Sequence, residues 1–151
     1  MSQAEISVRE ITKDTVISIV KLEVSEEQNA FVAPNAISFS QALFQQDEAW
    51  FRGIYAGDEP VGFAMFSLEE GEPQAYLWRY MIDHRQQGKG YGRRALELLI
   101  EEMRSRGHSG VLLSFVDKPG SPEPFYAKLG FERTGKIVHG ETEMLLPLSE
   151  S

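Results

Sequence analysis

The sequence predicts a single α/β domain, on three observations. Period-two apolar runs alternate along the chain with stretches of helical periodicity. A cluster of glycines joins an aromatic run to the most regular of those helices. The length, 151 residues, is that of one domain with a sizeable core.

Taken in order, residues 6–11 alternate with period two and form the expected first strand. Thr12 or Asp14 is placed to cap the following helix, whose apolar positions include Val16, Ile19, Val20 and Leu22. The segment Phe31-Val32-Ala33-Pro34-Asn35 breaks that pattern, and Ser38 then reads as the N-cap of a short helix through Ala42, Leu43 and Phe44. Residues 50–55 and 61–68 form two strands joined at Gly57-Asp58-Glu59-Pro60, a hairpin turn by residue type. Glu69-Glu70-Gly71-Glu72-Pro73 is a second turn, and residues 75–82 are bulky and aromatic, as a buried strand should be. After the glycines, Ala95, Leu96, Leu99, Ile100 and Met103 recur at helical spacing until Gly107 ends the helix. Residues 111–116 form the next strand, and residues 117–124 a proline-rich loop. Phe125-Tyr126-Ala127-Lys128-Leu129 is a short helix with Gly130 at its left-handed cap and Phe131 folding back on its apolar face. Residues 136–138 and 143–146 close the chain as a hairpin around His139-Gly140. The order is β-α-α-β-β-β-α-β-α-β-β, with no internal repeat.

Composition narrows the function classes. Apolar residues at 42% and charged residues at 25% are ordinary globular values and argue against disorder. No stretch approaches the roughly 20 apolar residues of a membrane span, and the polar start is no signal peptide, so a cytoplasmic protein without membrane attachment is expected. The absence of cysteine excludes disulfides, a thiolate nucleophile and cysteine metal sites. His84, His108 and His139 sit in turns without metal-ligand spacing, so no metal is expected. Fifteen basic against twenty-three acidic residues give a net charge of −8, which argues against a nucleic-acid partner and favours a cationic one.

Chemistry concentrates in Gln87-Gly88-Lys89-Gly90-Tyr91-Gly92. Alternate glycines let the backbone approach a ligand closely, and the helix that follows aims its first N–H groups and positive dipole end into the turn. Strand, turn and helix together make a pyrophosphate cradle. It is not a P-loop, because Lys89 lies between glycines; nor is it the dinucleotide fingerprint, because Arg93 stands where a third glycine is required. Arg93 and Arg94 follow at the helix start, where cations oppose the dipole unless a polyanion is bound.

The pattern Q/R-x-x-G-x-G/A from Gln87 to Gly92 resembles the acetyl-CoA signature of the GCN5-related N-acetyltransferases (GNAT). Phe125-Tyr126-Ala127-Lys128-Leu129-Gly130-Phe131 resembles that family's second hallmark, in its order and at its usual separation. The likeness spans roughly residues 6–148. It implies a mixed, mostly antiparallel sheet with helices on both faces and a central parallel strand pair that splays to admit acetyl-CoA as cosubstrate. By the same resemblance, backbone groups of Met81 and Ile82 pair with the pantetheine arm. Gln87, Gly88, Lys89, Gly90, Tyr91, Gly92 and Arg93 hold the pyrophosphate, and Tyr126 protonates the departing thiolate.

The acceptor is then a small-molecule amine. Residues 24–35 and Ser38 are similar to the acceptor side of bacterial spermine/spermidine acetyltransferases, implying a polyamine with Glu26, Glu27 and Trp78 at its site. A protein amine, an amino acid, an aminoglycoside, or a non-catalytic acyl-CoA sensor are the alternatives, and the resemblance leaves room for a homodimer. Some polyamine-acetylating relatives carry a basic carboxylate where this chain has Trp78 and Arg79. Glu23, Glu26, Glu27, Glu69, Glu70 and Glu72 are the remaining candidates for the base by location. Pro119 and Pro122 replace an Asn and an Ala usual in the family's cofactor loop.

Overall fold

The computed structural model describes residues 5–24, 41 and 48–148. Its strands are β1 (Ile6–Arg9), β2 (Ala49–Ala56), β3 (Glu59–Ser67), β4 (Gln74–Ile82), β5 (Gly110–Phe115), β6 (Glu132–Val138) and β7 (Glu141–Pro147). Helices α1 (Val16–Val20), α2 (Tyr91–Ser105) and α3 (Glu123–Lys128) connect them, with a 3₁₀ turn at His84–Gln86. The strands form one seven-stranded sheet in the order β1-β2-β3-β4-β5-β7-β6. Every neighbouring pair is antiparallel except β4 and β5. This is the mixed sheet with one central parallel pair that the family resemblance implies.

Side-chain alternation explains why helices cover both faces. On β3, Phe63 and Met65 point to one side and join Ile19 and Leu22 at the end of α1, whereas Ala64 and Phe66 point to the other and meet α2. Five residues of α2 (Ala95, Leu96, Leu99, Ile100, Met103) are buried, at the spacing expected for one helix face. Each Leu or Phe so buried contributes about 1.5–3 kcal/mol. Both α2 and α3 stop at a glycine. Gly107 and His108 donate to the carbonyls of Arg104 and Met103, and Gly130 and Phe131 repeat the motif on Ala127 and Tyr126.

Several boundaries differ from expectation. Neither Thr12 nor Asp14 is the N-cap of α1; Thr15 holds that position without a side-chain cap, because its Oγ1 accepts the N–H of Thr12 in the preceding turn at 2.8 Å. Leu22 lies beyond the end of α1 yet stays buried. The first strand ends at Arg9. Helix α3 begins within the proline-rich loop, with Pro122 at its N-cap and Pro124 in the first turn, where a missing N–H costs no helical hydrogen bond. The final hairpin is longer than predicted, although its turn, with His139 at φ 50° and Gly140 at φ 79°, falls where expected. The short helix expected after Ser38 lies outside the described residues. Among the described residues no helix is long and apolar enough to cross a membrane.

Close approach of β3 and β4 depends on Gly62. A Cβ there would sit 2.6 Å from the Met81 carbonyl oxygen and 2.7 Å from Ile82 Cδ1. Backbone cannot yield cheaply, so Gly62→Ala is expected to cost about 1–3 kcal/mol. For a domain of this size that lowers Tm by about 2–4 °C per kcal/mol, which differential scanning calorimetry measures.

Candidate active site

The parallel strands separate soon after they meet. Pairing of β4 with β5 covers Gln74↔Gly110, Ala75↔Val111 and Tyr76↔Leu112, after which β4 continues to Ile82 and β5 to Phe115. At that point the β3–β4 register shifts: Phe66 pairs with Leu77 and Met65 with Arg79, leaving Trp78 as the extra residue. Such a bulge bends and twists its strand. The gap is a cavity of about 500 Å³ with Leu77 to Ile82 on one wall and Leu113, Ser114 and Phe115 on the other.

The glycine turn closes one end of this cavity. Asp83, almost fully buried, accepts hydrogen bonds from the main-chain N–H of Glu23 at 3.0 Å, the N–H of Arg85 at 3.2 Å and Arg85 Nε at 2.8 Å. Burial alone would raise its pKa, but these donors outweigh it and hold the carboxylate below its ordinary range. Gln87 Nε2 donates to the Ile82 carbonyl at 2.9 Å. The turn is thus pinned at the strand end. Gly88 and Gly90 have φ of +79° and +82°, and a Cβ on either would meet nothing within 4 Å, so the backbone there is bare. Gly90 is the N-cap of α2, with no side-chain cap and no acidic residue in the first turn. The N–H groups of Tyr91, Gly92 and Arg93 precede the first intrahelical donor, Arg94, and remain available to an anion. These features fit a pyrophosphate.

An aromatic chain positions the expected proton donor. Tyr80 donates to the Gly92 carbonyl at 2.5 Å and stacks on Phe125, with ring centroids 6.3 Å apart. Phe125 meets Tyr126 edge-on at 5.3 Å, and Tyr126 meets Phe131 at 5.7 Å. Burial pushes the Tyr126 phenol well above its ordinary value, so it is a protonated donor at neutral pH.

A second cavity, of about 650 Å³, lies along the other side of the gap. It shares Trp78, Arg79 and Ser114 with the first, and Glu69, Glu72, Tyr76, His139 and Glu141 also line it. Within it, Tyr76 Oη lies 2.5 Å from Ser114 Oγ, which donates to Glu141 Oε1 at 2.9 Å. Arg79 reaches the Trp78 carbonyl at 2.9 Å and Gln41 Oε1 at 3.1 Å, while its buried Nε has no partner among the described residues.

Of the residues singled out in the sequence, Trp78, Met81, Ile82, Gln87, Gly88, Gly90, Tyr91, Gly92, Arg93 and Tyr126 line the first cavity together. Lys89 does not; its Nζ donates to Gln86 Oε1 at 2.9 Å, and it projects over the Tyr91 ring. Arg93 carries an ion pair with Glu97 one turn on. Among the glutamates considered for the base, Glu69 and Glu72 line the second cavity, whereas Glu23 and Glu70 line neither. Glu26 and Glu27 lie outside the described residues. Pro122 lines the first cavity, but Pro119 does not. Sequence reasoning missed Tyr76, Ser114 and Glu141, whose only signal is contact across the sheet.

Comparison with known proteins agrees with this geometry. Residues 16–131 match the model of the acetyltransferase (GNAT) family. The chain is 27% identical to spermine/spermidine N(1)-acetyltransferase of Bacillus subtilis (strain 168), over 95% of this chain and 99% of that one. The fold is that of the PaiA N-acetyltransferase of Thermoplasma acidophilum in complex with coenzyme A (TM-score 0.71, 16% identity, 95% of this chain and 99% of the other). It is equally that of the ribosomal-protein-S18-alanine N-acetyltransferase of Escherichia coli (TM-score 0.73, 19% identity, 97% and 96%).

The bare glycine backbone makes a specific prediction. Gly90→Val should weaken coenzyme A binding at least tenfold by isothermal titration, because Val resists positive φ and its branched carbons enter the cradle. Unchanged affinity would reduce the turn to a tight connection.

Proposed function

This chain belongs to the acetyltransferase (GNAT) family and is an acetyl-CoA-dependent N-acetyltransferase; we propose that its acceptor is a primary amine of a small polycation of the polyamine class. One observation carries the proposal. The cavity that meets the thioester slot at Trp78, Arg79 and Ser114 has Glu69, Glu72 and Glu141 on its walls against a single arginine. Three carboxylates facing one guanidinium favour a ligand with more than one positive charge. The net charge of −8 has the same sign. The curated relative named for spermine and spermidine supports the same class.

Acetyl-CoA supplies an activated acyl group, and the chain's residues orient it and move protons around it. The first-turn N–H groups of α2 and the Gly88 and Gly90 backbone hold the pyrophosphate, and main-chain groups of the Met81–Ile82 stretch of β4 pair with the pantetheine arm. The acceptor nitrogen enters from the acidic side and attacks the thioester carbon directly. An alkyl amine with a pKa of about 10.4 arrives as the ammonium, so it must lose a proton before attack. The leaving thiolate, with a pKa of about 8.5, takes a proton from Tyr126, held neutral by its burial.

Two outcomes check this reading. Tyr126→Phe keeps the ring contacts and removes the hydroxyl. It should lower kcat about 10²-fold in steady-state thiol-release assays, with KM for acetyl-CoA nearly unchanged. A wild-type kcat would make Tyr126 a core tyrosine only.

The second outcome concerns the acceptor. At low salt, kcat/KM for spermidine or spermine should exceed that for a monoamine of similar length. It should fall as salt shortens the Debye length below about 8 Å. Glu69→Gln with Glu72→Gln should raise KM for the polyamine more than for the monoamine. Equal kcat/KM for the two substrates would remove the polyamine assignment and leave acetyl transfer standing.

A further inference from the structure

We propose that the acceptor's ammonium proton leaves through Ser114 to Glu141, making Glu141 on β7 the terminal proton acceptor of the transfer reaction. The inference rests on the amine-acceptor reading above and supplies the base that reading lacks.

Counting protons sets the direction of the chain. A carboxylate can only accept, so Ser114 spends its single hydroxyl proton on Glu141 Oε1 at 2.9 Å. The contact at 2.5 Å between Tyr76 Oη and Ser114 Oγ must then have Tyr76 as donor. Ser114 Oγ has one lone pair filled by Tyr76 and one left for another donor. Every hydroxyl proton in the chain thus points toward Glu141, and the vacant acceptor position is on the residue that lines both cavities. An ammonium at the junction fills it.

The step balances. As the ammonium N–H proton moves to Ser114 Oγ, the serine's own proton moves to Glu141. The freed lone pair forms the C–N bond, and the C–S bond breaks with its electron pair on sulfur. Sulfur takes the Tyr126 proton. The second proton shed by nitrogen, now part of an amide, restores Tyr126 through solvent, and Glu141 returns its proton to water from its half-exposed carboxylate. Tyr76 holds the Ser114 hydroxyl in the right rotamer; it is a positioning residue.

The groups facing Glu141 are Tyr76 and Arg79 from β4, Ser114 from β5, Glu69 and Glu72 from the β3–β4 turn, and His139 from the β6–β7 turn. Glu143, on the same strand, is bonded by Thr134 of β6. Arg79 is the only fixed positive charge among these described residues.

The test is a pH–rate profile on the best amine of a panel. Glu141→Gln keeps an oxygen for the Ser114 hydrogen bond and removes proton acceptance. It should lower kcat about 10²-fold at pH 7. The deficit should shrink steadily toward pH 10, where the amine arrives already deprotonated. Affinity for coenzyme A by titration should stay at the wild-type value. Ser114→Ala, which leaves Glu141 in place, should show the same deficit and the same rescue. A wild-type kcat in either variant, or a loss that does not change with pH, overturns the proposal. Because the amine substrate is established first, that outcome leaves the acetyltransferase reading intact, whereas a panel with no acetylated amine overturns both.

Discussion

Everything functional in this fold depends on how briefly β4 and β5 stay together. Three residue pairs hold them, and beyond Tyr76 and Leu112 the two strands no longer pair with each other. Unpaired main-chain donors and acceptors cost free energy unless a partner supplies bonds. An extended ligand carrying amide groups is the partner that such a slot accepts. The bulge at Trp78 provides the bend, and the α1 side chains packed against Met81, together with the Tyr80 bond to Gly92, keep β4 from drifting back.

In the proposed reaction, the chemistry around that slot is divided by side of the sheet. The glycine turn, the start of α2 and the aromatic chain from Tyr80 to Phe131 form the phosphate and leaving-group side. The acidic cavity with Tyr76, Ser114 and Glu141 forms the acceptor side. Among the described residues the two meet only at Trp78, Arg79 and Ser114. Two substrates therefore approach the reacting carbon from opposite directions. The proposed reaction gives each side its own proton device: Tyr126 as donor, and Glu141 as the acceptor reached through Ser114.

Local features of this arrangement were legible in the sequence, and long-range ones were not. The glycine turn, the α2 face and the Gly130–Phe131 reversal depend on residues a few positions apart, so pattern and propensity find them. Helix starts differ from expectation where turn chemistry competes, as at Thr15, or where proline starts a helix, as at Pro122. Lys89 looked like a phosphate ligand by position, yet its side chain folds onto Gln86 and Tyr91. The Tyr76–Ser114–Glu141 chain was invisible because its members lie 38 and 27 residues apart. Only the parallel β4–β5 pair and the antiparallel β5–β7 pair bring them together. Location along the chain points to glutamates near the expected acceptor cleft and passes over Glu141, the first residue of β7.

Amide hydrogen exchange with and without saturating coenzyme A tests the slot most directly. The account predicts new protection in peptides covering residues 77–93 and 113–126, with residues 49–60 of the distant strand unchanged. Protection confined to other segments, or none along residues 77–93 despite demonstrated binding, would contradict the assignment of the parted strands as the cosubstrate's seat.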